Sequence, residues 1–200
     1  MPCSMPESNT PNNKRFEEPS SSMDIDFINR QSRHEIEEVR LCEASRQILN
    51  DAGFRSGQLS LAVVDDEEMQ QLNRQYLEHD YPTDVLSFLL EDGEDFLEGE
   101  VIVSADTAAR EARRWNWPVH DELLLYVIHG TLHLIGMDDH EPEDRSQMRQ
   151  AETHYLAKFG LRHRFEEEVE PAVDAESGGE ARTSSIRGAT DLHGESEVSS

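Results

Sequence analysis

The sequence predicts a single α+β domain, a mixed-sheet α/β arrangement of about four strands, with one very apolar helix that stops at a glycine turn. Three observations lead to this reading. Segments with strand period and segments with helix period intermix along 23–165 without strict alternation. The stretch ELLLYVIHGTLHLIG is apolar on nearly every side, as a buried helix must be, and it ends at Gly136. The two ends, 1–22 and 166–200, are rich in Pro, Ser, Asn and Glu and have no apolar period. Neither end can bury enough apolar surface to offset the entropy of ordering it, so both are expected to be disordered tails.

The elements follow in order. At 23–29 Ile25 and Phe27 alternate with Asp24 and Asp26, the pattern of a strand with one wet face. From 34 to 52 Ile36, Val39, Leu41, Ala44, Ile48 and Leu49 recur at helical spacing, and Gly53 offers a left-handed stop. QLSLAVV at 58–64 is a second strand, after which Asp65 and Glu68 form a capping-box pattern opening a helix over 66–78. TDVLSFLL at 83–90 is apolar throughout and is expected to be a central strand. The acidic 91–100 segment is expected to be a solvated loop, since it lacks the ligand alternation of a calcium loop. A strand at 100–104 follows, and Ser104 caps a helix over 105–115. Pro118 opens the apolar helix, and Pro142 starts a last helix reaching about Phe159.

The formal net charge of −25 argues against a broad basic face that grips nucleic acid. It leaves room for a local basic cleft, or for a metal ion that supplies the positive charge. Cys3 and Cys42 are the only cysteines, so no disulfide framework is implied, and Cys42 fits a small buried hydrophobe. The N-terminus lacks the layout of a secretory signal, and no apolar run approaches a membrane span; the expected compartment is the cytoplasm.

Chemistry concentrates in HGTLHLIGMDDH. His129 and His133, four positions apart, lie on one face of a helix about one turn apart and can share an ion. Gly136 lets the helix stop sharply, so that the chain folds back and brings a third ligand from 138–140. Three protein ligands with one open position suit catalytic zinc better than structural zinc, which closes its shell with four. The pair alone is a weak signal and fits ordinary core histidines better than a metal site. The glycine and the Asp-Asp-His triplet after it tilt the reading toward metal. A zincin protease would place its general base, a glutamate, directly after the first histidine, where this chain has Gly130. Hydrolysis of a phosphodiester needs less help, because a metal both acidifies water and offsets phosphate charge.

His129, Gly130, Leu132, His133, Leu134, Gly136 and Asp138 resemble the H-G-x-L-H-L-x-G-Y-D-H signature of the YbeY-type endoribonucleases, with Met137 at the tyrosine. Asn73, Tyr76, Asp80, Pro82, Thr83, Asp84, Val85, Leu86, Ser87 and Phe88 resemble a second block of that family, and Gly99, Glu100, Val101, Val103, Ala108, Glu111 and Ala112 a third. The resemblance spans about 24–160 and implies a single-strand-specific endoribonuclease. Its implied roles are maturation of the 16S ribosomal RNA 3′ end and ribosome quality control, with one zinc ion and the small ribosomal subunit as partner.

Two positions depart from the family pattern. The family's third histidine falls on Asp139, with His140 one residue further; the ungapped register, which also aligns Met148, favours Asp139 over His140 as third ligand. Leu77 stands where the family has an arginine thought to engage phosphate, and Arg74, one turn earlier, is the candidate RNA contact or a solvated surface residue. Two other functions compete: a metallopeptidase-like hydrolase, and a ribosome-assembly binding protein with a structural metal.

Overall fold

The computed structural model describes residues 22–163. Apart from Ser22, the expected tails at 1–22 and 166–200 lie outside the described residues. The element order is β1 (Met23–Asn29), α1 (Glu38–Asp51), β2 (Ser56–Val64), α2 (Asp66–Leu77), β3 (Val85–Asp92), β4 (Phe96–Ser104), α3 (Ala105–Arg114), α4 (Val119–Leu134) and α5 (Pro142–Lys158). The four strands form one mixed sheet in the order β1-β2-β4-β3, with β1, β2 and β4 parallel and β3 antiparallel to β4.

Local chemistry sets the element ends. Gly53 takes φ 101° after α1, the left-handed turn that glycine adopts without steric cost. The Asp65 carboxylate accepts from the Glu68 amide at 2.9 Å, and Ser104 Oγ accepts from the Thr107 amide at 3.1 Å. Both caps satisfy helix N–H groups that would otherwise be orphaned. The starts of α2 and α3 are also tied together, because Asp66 accepts from Ser104 Oγ (2.5 Å), Thr107 Oγ1 (2.7 Å) and Arg110 Nη1 (2.8 Å). These bonds outweigh the burial that would raise its carboxyl, so its pKa lies below the ordinary aspartate value.

Two core clusters occupy opposite faces of the sheet. On one face Leu59, Leu61, Val63, Leu97, Val101 and Val103 pack against α1, α4 and α5. On the other, Ala62, Val64, Leu86 and Ile102 pack under Met69 of α2, with Leu72 and Phe88 at the margin. Alternation along β2 and β4 sends neighbouring residues to different clusters. Cys42 is half-buried against the larger cluster.

The structure corrects two expectations. The 83–90 segment is not a central strand: β3 lies at the sheet edge, and β2 and β4 are the two central strands. Its apolar run arises because both faces of its first half are covered, Val85 by the α4 side and Leu86 and Phe88 by the α2 side. Burial of faces does not report position within a sheet. Towards its end Leu89 and Leu90 are exposed, and the register shifts between Leu89 and Glu91, an irregularity of the kind that protects edges from further pairing. The acidic 91–100 segment is also not a loop. It is the tip of a hairpin, with β3 continuing to Asp92 and β4 beginning at Phe96. Alternating burial of Leu97 and Gly99 against Glu98 and Glu100 gives it one wet face.

Helix α4 fixes the site. From Asp121 to Leu134 every residue is buried except His129 and His133. Gly130 permits the close approach to the sheet: a Cβ there would lie 2.7 Å from Val85 Cγ2, 2.8 Å from Val101 Cγ1 and 2.9 Å from Ser87 Oγ. Ser87 Oγ donates to the Gly130 carbonyl at 3.0 Å, joining helix to sheet. Gly130→Ala should therefore destabilise the fold. Alanine gains about 1 kcal/mol in helix propensity but overpacks a site where strain costs typically about 1–3 kcal/mol. Urea unfolding should show a net loss of up to about 2 kcal/mol; a raised midpoint would contradict the close approach.

Candidate metal centre

His129 and His133 occupy the one solvent window of the Asp121–Leu134 stretch, with side chains 21% and 28% exposed. Each ring is held from behind. His129 Nδ1 lies 2.7 Å from Glu152 Oε1 on α5, and His133 Nδ1 lies 2.9 Å from the Met137 carbonyl oxygen. Both partners are acceptors, so each Nδ1 carries the proton and donates. A neutral imidazole with Nδ1 protonated presents a bare lone pair at Nε2.

The two Nε2 atoms face each other at 3.0 Å. Two lone pairs at that distance repel unless a positive charge lies between them, as a shared proton or a metal cation does. The protonation equilibria show the same tension. Burial would lower the pKa of His129, but the hydrogen bond and charge of Glu152 outweigh it and raise the value. Burial, and then the charge of His129, lower that of His133. Glu152 is drawn down to about 2: burial pushes its carboxyl up, and bonds from His129 and His163 more than reverse this.

The turn after α4 brings in the next group. Gly136 takes φ 89°, and the amides of Gly136 and Met137 bond back to the carbonyls of His133 (3.0 Å) and Leu132 (3.1 Å). This reversal places the Met137 carbonyl against His133 and sends 138–140 back along the helix end. The Asp138 carboxylate accepts from the Asp139 amide at 2.7 Å and the His140 amide at 3.3 Å, and also pairs with the His140 ring. Arg145 Nη1 donates to the carbonyls of Asp139 (3.2 Å) and His140 (2.5 Å).

With the turn so held, Asp139 reaches inward. Its carboxylate oxygens lie 3.8 Å from His129 Nε2 and 4.0 Å from His133 Nε2. Ligand atoms of His129, His133 and Asp139 all fall within 4.8 Å of one another. His140 is outside this group. Its side chain is 80% exposed and bonded to Asp138, in a second group, Asp138, Asp139 and His140, that shares Asp139 with the first. Two imidazole nitrogens and a carboxylate oxygen are donors that suit zinc and its first-row neighbours.

Arg74 is not brought to the histidines. It sits on α2, which packs against the other face of the sheet, and its guanidinium lies 3.3 Å from Asp80. Leu77 is exposed nearby. Asp84, just before β3, acts electrostatically on His129.

Sequence reasoning missed Glu152 and His163. A signal for Glu152 was present: it falls with Met148, Tyr155 and Leu156 on the buried stripe of α5, where a lone carboxylate is costly. Nothing in the sequence marked His163, which arrives only through the turn at Gly160, φ 75°.

The family model described as Endoribonuclease YbeY matches residues 26–160. Among curated proteins, Endoribonuclease YbeY of Syntrophotalea carbinolica is 44% identical over 143 residues, covering 68% of this chain and 95% of the relative. The protein of that name from Syntrophus aciditrophicus is 39% identical over 139 residues, covering 66% and 86%. That from Carboxydothermus hydrogenoformans is 37% identical over 140 residues, covering 68% and 97%. The matched span contains the whole sheet from Asp26 onward, both histidines, the glycine turn and Glu152, and on this evidence the chain belongs to the YbeY endoribonuclease family.

Proposed function

We propose that this protein is a zinc-dependent endoribonuclease that cuts single-stranded ribosomal RNA in the cytoplasm, maturing the 16S 3′ end and serving quality control of the small ribosomal subunit. The observation that supports this most directly is the pair of opposed Nε2 atoms in the solvent window of α4. The RNA substrate and the ribosomal setting rest on family membership.

His129, His133 and Asp139 would hold the ion. When bound, it supplies Lewis acidity and positive charge opposite a phosphodiester. The chain's own groups do the rest. Burial of α4 on its other sides fixes both rings. The Met137 carbonyl and Glu152 keep Nδ1 protonated. Asp138 and Arg145 hold the turn that carries Asp139. Partial exposure of all three ligands leaves an approach for substrate, which favours a catalytic over a closed structural site.

The metallopeptidase reading loses ground at Gly130. The space a side chain would need there is filled by Val85, Val101 and Ser87, so a general base cannot be accommodated at that position.

Two measurements test the proposal. Asp139→Ala should weaken zinc binding as severely as His133→Ala, whereas His140→Ala should leave the affinity near that of the parent; the reverse order would make His140 the third ligand. The zinc-loaded chain should cleave a single-stranded RNA and spare casein. Chelator or His129→Ala should abolish the cleavage, and activity that persists through chelation would contradict metal dependence.

A further inference from the structure

Glu152 stands between two histidines, and its two oxygens are divided between them. Oε1 accepts a hydrogen bond from His129 Nδ1–H at 2.7 Å, and Oε2 lies 3.0 Å from His163 Nε2. Both partners of the second bond are almost fully enclosed, with side-chain exposures of 9% and 3%. A buried carboxylate on an otherwise apolar helix stripe is expensive unless both oxygens are satisfied. Here each is satisfied by a different element. Gly160 turns the chain after α5, the Leu161 amide bonds to the Leu156 carbonyl at 3.1 Å, and His163 is thereby delivered beneath the site.

We propose that Glu152 is the positioning residue of the metal centre and that His163 is its latch. Glu152 commits His129 to the tautomer whose Nε2 lone pair faces the ion. His163, bonded to the other oxygen, keeps the carboxylate from turning away. The 160–163 segment is then part of the metal centre. This inference rests on the metal reading above. Outer partners that fix a histidine ligand commonly change metal affinity by about 10–100-fold when removed.

The test uses the full chain, with histidine ring nitrogens labelled for NMR and zinc titrated against a competing chelator. In metal-free parent protein at mildly alkaline pH, His129 should be protonated at Nδ1. Glu152→Gln keeps an acceptor oxygen, so the tautomer should persist while zinc binding weakens by about tenfold. Glu152→Leu should release the tautomer and weaken binding by about 100-fold. His163→Phe should weaken it by about tenfold, and His163→Gln, which restores a donor, should recover the parental affinity. Circular dichroism confirms that each variant is folded, and Glu152→Gln serves if Glu152→Leu is not. Parental affinity and tautomer in Glu152→Leu, or parental affinity in both Glu152→Gln and His163→Phe, would overturn the proposal. A parent that binds no zinc would instead overturn the metal reading, and this proposal with it.

Discussion

The close approach of α4 to the sheet is the constraint on which the rest of the molecule depends. Gly130 lets the helix backbone sit where a Cβ would collide with Val85 and Val101. That depth buries Asp121–Leu134 on all sides except one, and each fully buried aliphatic side chain contributes about 1.5–3 kcal/mol. The unburied remainder is two histidines on one face. A helix that is committed so strongly to the core has almost no freedom to rotate. The imidazoles inherit its rigidity, which a metal site requires of its scaffold.

Around this helix the polar groups are placed by turns more than by regular structure. Gly136 returns the chain so that one carbonyl orients His133 and one carboxylate faces both rings. Gly160 does the same at the other end of α5 and brings His163 to Glu152. In a chain of formal charge −25, a cation held here would be the local positive charge that a phosphodiester meets.

Most elements were legible in the sequence because their signals are local. The caps at Asp65 and Ser104, the stop at Gly53 and the Leu41–Leu49 stripe of α1 each depend on a few neighbouring residues, whereas Ile36 precedes that helix and Val39 is exposed. Strand order was not legible. The apolar run of β3 reports that both its faces are covered, which an edge strand under two helix layers also satisfies. In the acidic hairpin tip charge masks the alternation of Leu97 and Gly99, so its sequence carries the signature of a loop. At the candidate site, His129 and His133 were readable from their spacing. Glu152 and His163 were not, because their link to the histidines passes through tertiary contacts that no periodicity encodes.

The proposed centre is tested most directly by X-ray absorption at the zinc edge on the loaded, full-length protein. Two imidazole nitrogens at about 2.0–2.1 Å, with the rest of the first shell oxygen, are the expected result. Three imidazoles would place His140 on the ion in place of Asp139, and sulfur scattering at about 2.3 Å would move the metal to a cysteine and contradict the site altogether.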